Sequence, residues 1–309
     1  MTAKGDPPVP AARPAGSVDA ELLREALPYI RRFKGKTFVV KISGKVTENQ
    51  GNLSSLAEEI ALLHQVGIRV TVVHGGGAQA TELSERLGLE PRLVNGRRVT
   101  DDATLEVVKM VFAGKISVEI LSALRAYGIH AVGVSGIDGN VVLARKRATK
   151  SMMNRETGKR ERVDFGNVGD VVQVDPRLLT TLLDAGYLPI VSPLAADEGG
   201  RVYNVNADTI ASALAVELDA EKLILLSDVP GVLAKPGDPE SRISRLSAAE
   251  ARRLAKSPAV TGGMVAKLEE ISRVVEAGVR AVHIVNGNQR NALLSEIFGD
   301  QGSGTMVMG

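Results

Sequence analysis

Apolar positions follow two kinds of spacing along the chain. Short continuous apolar runs predict buried strands, and apolar residues spaced three or four apart predict amphipathic helices. Strands are predicted at 37–40, 69–73, 129–134, 188–192, 222–227 and 279–285. Helices are predicted at 55–66, 78–87, 101–124, 176–185, 206–218, 247–256, 264–277 and 290–298. Their alternation indicates right-handed crossovers and an α/β fold with a mainly parallel sheet.

Three stretches depart from this alternation. Residues 1–16 are rich in Pro and Ala and are predicted to be a disordered lead. Residues 17–34 carry a helical apolar stripe that begins after an N-cap serine and ends before a glycine. The polar, basic segment 145–164 is expected to project as a hairpin or a loop between strands 141–144 and 168–172. Two lobes are expected, with a hinge near 193–205.

Composition narrows the classes of function. The chain has 309 residues with 44% apolar and 24% charged, which is ordinary for a globular protein. A net charge of +2, with 3% aromatic residues and no Trp, argues against nucleic-acid binding. The absence of Cys excludes thiol catalysis and cysteine metal sites. No apolar run approaches the roughly 18 residues of a membrane span, and no apolar signal core is found. We therefore expect a cytoplasmic protein without a membrane partner.

A strand that ends in three glycines is the strongest candidate for chemistry. Residues 70–74 lead into Gly75, Gly76 and Gly77, and helical sequence follows at once. Bare backbone N–H groups at such a turn, together with the positive end of the helix, can bind an anion. The alternative is a tight turn that needs glycine only because φ is positive. Three consecutive glycines cost backbone entropy, which favours the ligand-binding interpretation.

Two other glycine turns each have a lysine close by. Lys41 ends a strand just before Gly44, and Lys267 lies one turn into a helix that begins near 262–263. A lysine at a strand end can reach phosphate oxygens while the glycine lets the backbone approach. The alternative for both is an ordinary surface lysine. Three anion-oriented turns in one α/β chain indicate an enzyme that moves a phosphoryl group.

Further polar residues follow predicted strands. Either Arg97 or Arg98 could clamp a carboxylate, and local sequence does not separate them. Asn204 and Asn206 could face a cleft, although an N-cap role also explains Asn206. Asp208 could hold nearby lysines in place. The Ser-Asp-Val-Pro-Gly-Val stretch 227–232 follows a buried strand and could bind a nucleotide or form an ordinary turn.

The ordered set of motifs resembles the N-acetyl-L-glutamate kinases of the amino-acid kinase family. The resemblance covers residues 22–308 and is carried by VVHGGG, NGRRVTD with VVKMVFAGK, AVGVSGIDG, NVNAD, LILLSDVPGVL, TGGMVAK and SGTMV. It implies a three-layer αβα sandwich, the amino-acid kinase fold. It also implies that lobe 35–195 binds an acyl acceptor and that lobe 196–309 binds ATP.

The resemblance implies transfer of the γ-phosphoryl group of ATP to the side-chain carboxylate of N-acetylglutamate, in arginine biosynthesis. Lys41 and Lys267 would flank the transferring group as catalytic residues, and Asp208 would orient them. The acetylated amino acid would be bound by Gly76, Gly77, Arg98, Asn204 and Asn206. The nucleotide would be bound by Gly44, Ser227, Asp228, Val229, Pro230, Gly231, Val232, Leu233, Thr261 and Gly263. Mg²⁺ would arrive on the ATP phosphates, and no protein metal ligand is assigned.

The N-terminal helix 17–34 is similar to the extra helix of the arginine-inhibited members, which links dimers into a hexamer. The resemblance therefore implies a homo-oligomer, a dimer or a trimer of dimers, with arginine as a possible effector. An arginine site would be formed by Tyr29, His283, Glu296 and Gly304.

Some positions depart from the family pattern and keep alternatives open. Ser43 and Lys45 stand where a glycine and a small or amide residue are usual, and Ser117 with Val118 replaces an Asn-Lys pair. If φ at position 43 must be positive, the serine would be strained. One alternative function is the kinase of carrier-protein-linked aminoadipate or glutamate in lysine biosynthesis, which the basic segment 145–162 would suit. Another is a catalytically silent arginine-binding regulator.

Overall fold

The computed structural model describes residues 20–95, 97–153, 158–257, 260, 263–299 and 302–309. Its first half contains, in chain order, α1 (Ala20–Phe33), β1 (Thr37–Ile42), α2 (Gly44–Thr47), α3 (Gln50–Gln65), β2 (Arg69–His74), α4 (Gly77–Arg86), β3 (Leu93–Val94), β4 (Arg97–Arg98), α5 (Asp102–Lys109), α6 (Ser117–Arg125), β5 (Ala131–Ser135), β6 (Val142–Lys146), β7 (Lys150–Met153) and β8 (Arg160–Val163). The remainder contains β9 (Gly169–Val174), α7 (Arg177–Asp184), β10 (Leu188–Ser192), β11 (Leu194–Ala196), β12 (Val202–Asn204), α8 (Ala207–Glu217), β13 (Lys222–Ser227), β14 (Val232–Leu233), β15 (Arg242–Ile243), β16 (Arg245–Ser247), α9 (Ala248–Ala255), α10 (Gly263–Glu276), β17 (Ala281–Asn286), α11 (Ala292–Phe298) and β18 (Thr305–Met308).

An eight-stranded sheet forms the centre, in the order β16-β18-β17-β13-β1-β2-β10-β5. Its pairs are parallel except for the antiparallel pair β17–β18. Alternate residues of β1 enter separate apolar clusters: Phe38, Val40 and Ile42 face helices α3, α6 and α11, whereas Val39 faces α8, α9 and α10. The predicted α/β fold with helices on both faces of a mainly parallel sheet is therefore confirmed.

A smaller sheet lies beside the main one, in the order β12-β11-β6-β9. Strands β7 and β8 pair antiparallel, as expected for a hairpin in the basic segment. Residues 154–157 of that segment lie outside the described residues. The main sheet contains strands from both sides of the expected lobe boundary at 195/196, and β11 spans that boundary.

The long helix predicted at 101–124 is interrupted. Residues Met110–Ile116 form a π-helical segment between α5 and α6. The helix expected from residue 55 begins earlier, at Gln50, because the Asn49 side chain accepts hydrogen bonds from the N–H groups of Gly51 and Asn52. Strand β18 was not predicted, and it joins the main sheet between β16 and β17.

The N-terminal helix is described from Ala20 onward, so the expected disordered lead 1–16 lies outside the described residues. Its last residue, Phe33, is buried and packs edge-on against Phe38 of β1, with ring centroids 5.2 Å apart. This contact joins α1 to the main sheet. No helix in the described part of the chain combines the length and the apolar character that crossing a membrane requires.

Candidate active site at the carboxyl ends of the central strands

The two glycine turns that follow β1 and β2 lie against each other. A Cβ on Gly44 would lie 3.1 Å from Cα and 3.2 Å from N of Gly76, and Gly75 N–H donates to the Ile42 carbonyl at 2.8 Å. A Cβ on Gly76 would lie 2.2 Å from Cδ1 of Ile116 and 2.8 Å from Cε1 of Phe112. Both turns therefore require glycine because the space is already filled.

Positive φ is not the reason for these glycines. Gly76 has φ −176°, and none of Gly44, Gly75 and Gly77 has positive φ. The alternative that explained the triple glycine by a left-handed turn is therefore wrong. Within the described chain, the N–H groups of Gly44 and Gly76 donate no hydrogen bond, so they stay available to an anion.

Ser43 fits its turn without strain. Its φ of −69° and ψ of 144° lie in the extended region that any residue adopts. The strain that a serine would meet at positive φ therefore does not arise.

Asp208 joins the two predicted lysines. Its Oδ1 lies 2.7 Å from Nζ of Lys41 and its Oδ2 lies 3.5 Å from Nζ of Lys267. Lys41 is on the central strand β1, Lys267 is on α10, and Asp208 is in the first turn of α8, whose N-terminal dipole also favours its negative charge. The structure thus brings together three side chains that lie far apart in sequence.

The ionisation of this trio follows from burial and from its charges. Burial alone would raise the pKa of Asp208, but the charges of Lys41 and Lys267 outweigh it and lower the pKa to about 2. Burial, followed by the nearby charge of Lys41, lowers the pKa of Lys267, although Asp208 opposes both effects. Asp208 is therefore ionised at neutral pH and holds two ammonium groups side by side.

The structure separates the two candidate arginines. Arg98 donates from Nη2 to the Gly77 carbonyl at 2.6 Å and to the Thr81 hydroxyl, whereas Arg97 is exposed. Nη1 of Arg98 is buried and has no hydrogen-bond partner among the described residues. Burial lowers the pKa of this guanidinium. Arg98 therefore places a half-buried charge with a spare donor beside the triple glycine.

Asn204 and Asn206 have different surroundings. The Asn204 amide donates to the Thr100 hydroxyl at 3.1 Å, and its backbone N–H donates to the Asn167 carbonyl at 2.9 Å. Asn206 is exposed, and its side chain accepts from the N–H of Thr209 at 3.1 Å, as an N-cap does. The local alternative therefore describes Asn206 better than Asn204.

The position of Asn204 is stabilised by neighbouring residues that the sequence analysis did not identify. Asn167 is buried, donates to Asp102 at 2.8 Å and accepts from Arg201 at 2.8 Å. Gly166 has φ +69°, and a Cβ there would lie 2.3 Å from the Thr100 carbonyl oxygen. No motif marked these residues, because their contacts depend on the tertiary approach of two loops.

The π-helical segment and the first residue of α6 pack against the triple-glycine turn and the residue before it. The Ser117 hydroxyl donates to the Phe112 carbonyl at 2.9 Å and lies 3.0 Å from Nε2 of His74. Nδ1 of the same imidazole lies 3.3 Å from the Gly75 carbonyl oxygen, so the His74 ring bridges the glycine turn and Ser117. Burial lowers the pKa of His74 to about 4, so the imidazole is neutral. The His74 ring therefore packs between the glycine turn and the start of α6.

The predicted nucleotide residues follow β13. Ser227 ends the strand, and Asp228 pairs with Lys45 at 2.6 Å. Gly231 has φ +134°, and a Cβ there would lie 2.6 Å from the Thr305 hydroxyl, which accepts from Val232 N–H at 2.8 Å. Leu233 pairs with Arg242 in a short hairpin. Gly263 begins α10, and Thr261 lies outside the described residues.

A second polar cluster lies between β17, β13 and α11. His283 lies 2.6 Å from Oε1 of Glu296 through Nδ1 and 2.8 Å from Nζ of Lys222 through Nε2. Oε2 of Glu296 accepts from the N–H groups of Ser303 and Gly304 at 2.6 and 2.7 Å. The structure thus brings His283, Glu296 and Gly304 together, and Tyr29 lies on α1, partly buried against the apolar cluster that contains Phe33.

Lys222 completes this cluster and was missed from the sequence. Burial lowers its pKa to about 8, the nearby charge of Glu296 opposes this, and its ammonium lies 5.4 Å from the centre of the Phe33 ring. Nothing in the local sequence at the start of β13 distinguishes Lys222 from a surface lysine, because its neighbours come from other strands and from α1.

Comparison with known proteins shows which family this chain is similar to. The model of the amino acid kinase family matches residues 36–286. The chain is 46% identical over 289 residues to the acetylglutamate kinase of Symbiobacterium thermophilum, covering 94% of this chain and 97% of that protein.

Two solved structures are also similar. The N-acetylglutamate synthase of Neisseria gonorrhoeae, complexed with coenzyme A and N-acetyl-glutamate, has a TM-score of 0.80 and 30% identity and covers 95% of this chain. The synthase complexed with coenzyme A and L-arginine has a TM-score of 0.77 and 29% identity and covers 94% of this chain. This chain spans only 64% and 66% of those two chains.

Proposed function

The chain belongs to the amino acid kinase family, and from that premise we propose that it transfers the γ-phosphoryl group of ATP to the side-chain carboxylate of N-acetyl-L-glutamate. It is a phosphotransferase with a carboxyl group as acceptor, and its product is an acyl phosphate in arginine biosynthesis. The relative from Symbiobacterium thermophilum, which bears the name of this activity, matches nearly the whole chain.

The pairing of Lys41 and Lys267 with one carboxylate is the observation that carries the proposal. Phosphoryl transfer passes through a loose transition state whose charge is spread over the migrating group. Such a reaction needs positive charges fixed on either side of that group and little covalent help. We assign Lys41 and Lys267 to that role, and Asp208, which lies 2.7 and 3.5 Å from them, positions both.

The acceptor site is assigned to the triple glycine and its neighbours in 35–195. The spare Nη1 donor of Arg98 suits a carboxylate, and the free N–H of Gly76 suits the oxygen that attacks phosphorus. Gly77 and Asn204 complete this site in the proposal, with Asn206 at its edge. A carboxylate acceptor is already ionised at pH 7, so the reaction needs no general base.

The nucleotide site is assigned to residues 196–309, at the carboxyl end of β13. Its proposed members are Ser227, Asp228, Val229, Pro230, Gly231, Val232, Leu233, Thr261 and Gly263, with Gly44 on the opposite side. Mg²⁺ would supply charge neutralisation on the ATP phosphates when bound. The described part of the chain offers no cluster of three His, Asp or Glu side chains for a metal, and Asp208 is already paired with two lysines. We therefore propose that the phosphates provide most ligands of the ion.

A turnover assay with ATP tests the function. We expect acyl phosphate, trapped as the hydroxamate, from free N-acetylglutamate and none from glutamate or aminoadipate linked to a carrier protein. The lysine-pathway alternative requires the reverse preference. Absence of turnover with every acceptor, together with arginine binding, would favour the silent regulator.

We further propose feedback inhibition by arginine at the cluster around Glu296. The buried Glu296 carboxylate supplies the negative charge that a guanidinium ligand pairs with, and the N–H groups of Ser303 and Gly304 orient its Oε2. A structural neighbour binds L-arginine. The proposed members are Tyr29, His283, Glu296 and Gly304.

Titration of activity with arginine tests this site. We expect inhibition at millimolar arginine or below in the unaltered protein, and a shift to at least roughly 10-fold higher concentration in Glu296→Gln, which loses the charge that pairs with guanidinium. Ornithine, which lacks the guanidinium, serves as the control. An activity that stays constant up to millimolar arginine would refute the proposal.

We propose that the protein is a cytoplasmic homo-oligomer, either a dimer or a trimer of dimers joined through α1. Leu27 on that helix is an exposed apolar residue, which suits a contact between subunits. The mass in solution, measured by sedimentation, distinguishes two subunits from six, and a monomer would contradict both.

A further inference from the structure

Lys45 forms an ion pair across the mouth of the proposed nucleotide site. Its Nζ lies 2.6 Å from Oδ2 of Asp228, although 183 residues separate the two in sequence. Lys45 follows Gly44 in the turn after β1, and Asp228 follows the adjacent strand β13. The Lys45 side chain is 63% exposed, so the pair is open to solvent and to ligands.

This pair extends the charges of the catalytic trio. The charge of Lys267 contributes to lowering the pKa of Asp228, after the hydrogen bond from Lys45, and the charge of Asp228 acts on Lys267 in return. Positive and negative groups therefore alternate in the order Lys45, Asp228, Lys267, Asp208, Lys41. Three ammonium groups therefore lie along this row, and the charge of Glu48 also acts on Lys45 at its exposed end.

We propose that Lys45 is a third phosphate-binding ammonium group, which exchanges the Asp228 carboxylate for a phosphate oxygen when a nucleotide binds. The inference rests on the proposed function, because it takes the end of β13 as the nucleotide site. Lys45 is not among the members of the proposed nucleotide site, and its ligands in this assignment are the β- and γ-phosphates.

Position and energetics both suit this role. Gly44, directly before Lys45, lies against Gly76, so the backbone at residue 45 starts beside the two anion-binding turns. An exposed ion pair adds little to stability, because its charges are solvated and screened. The exchange therefore costs little, whereas an ammonium–phosphate contact next to Lys41 and Lys267 is charge-assisted.

Nucleotide binding by Lys45→Gln tests the proposal without requiring turnover. Calorimetric Kd values are measured for ATP, ADP and adenosine, with Mg²⁺ present throughout. We expect Kd to rise about 10-fold for ATP and ADP and to stay within about 2-fold for adenosine, which has no phosphate. Lys45→Arg keeps the charge and should bind ADP within about 3-fold of the unaltered protein.

Lys146→Gln is the matched control. Lys146 also makes an exposed ion pair with a distant residue, Asp164 at 3.0 Å, but it lies at the base of the basic hairpin. The Lys146→Gln variant should bind ATP, ADP and adenosine as the unaltered protein does. This result would show that the effect of Lys45→Gln comes from the position of the lost charge and not from the loss of a positive charge in general.

Two results would overturn the inference while the proposed function stands. One is Lys45→Gln binding ATP and ADP with unchanged Kd. The other is adenosine binding weakened as much as ADP binding, which would mean that Lys45 acts through the shape of the turn. Failure of the unaltered protein to bind any nucleotide would instead refute the proposed nucleotide site.

Discussion

Replacing Lys41 or Lys267 by alanine should lower kcat by roughly 10²-fold or more. Each substitution removes one of the two ammonium groups that neutralise charge on the migrating phosphoryl group. The fold should survive, because Asp208 keeps the other lysine as a partner and its charge is not left alone in a buried position. The measurement is kcat at saturating ATP and N-acetylglutamate, with thermal unfolding recorded for each variant.

Lys109→Ala is the control for these two variants. Lys109 pairs with Glu106 on the same helix, 2.7 Å away, and belongs to no proposed site. Its kcat should equal that of the unaltered protein. If both Lys41→Ala and Lys267→Ala retained near-normal kcat, the assignment of the two lysines to the transition state would be wrong.

Replacing Arg98 by alanine should raise KM for N-acetylglutamate by roughly 10²-fold, since a charge-assisted contact with a carboxylate is worth about 2–3 kcal/mol. KM for ATP should change far less, because Arg98 contacts the triple glycine through the Gly77 carbonyl and not the end of β13. Initial rates measured with each substrate varied in turn give both constants.

The neighbouring Arg97→Ala provides a close control. It removes the same charge at the next residue, whose side chain is exposed. KM for N-acetylglutamate should stay within about 2-fold in this variant. Equal effects at the two positions would mean that the structure does not distinguish the arginines as proposed.

The strand ends of the central sheet were predictable because two local signals coincide there. Continuous apolar runs mark strands that are buried on both faces, and glycine or polar residues follow directly. Ligands of parallel sheets bind at those carboxyl ends, so Lys41, the triple glycine and Asp228 could each be named as candidate ligand-binding residues. The pairing of Lys41 and Lys267 with Asp208 depends in addition on how helices α8 and α10 pack against the sheet.

The reason for the glycines could not be read from the sequence. Both the ligand-binding interpretation and its alternative treated the triple glycine as a local matter of backbone freedom. The structure shows instead that Gly76 is required by Phe112 and Ile116, which lie in a π-helical segment some 40 residues away. A π-helical turn inserts one residue into a helical period, but the apolar positions in 101–124 recur every three or four residues, as in an uninterrupted α-helix, and so do not reveal it.

Lys222 and Asn167 were missed for a related reason. Each is polar and buried, and its partners come from elements that are distant in the chain. Local patterns report which residues face a core, but they do not report which polar groups meet inside it.

The ammonium groups of Lys41 and Lys267 are carried by different kinds of element, the central strand β1 and the helix α10. Hydrogen bonds hold β1 to a neighbour on either side, and Lys41 is anchored in its buried part. Amide exchange at such a strand requires the whole molecule to open. Lys267 instead belongs to a helix in the outer layer of the sandwich. We therefore expect that any rigid-body adjustment between the two lysines occurs in α10 rather than in β1.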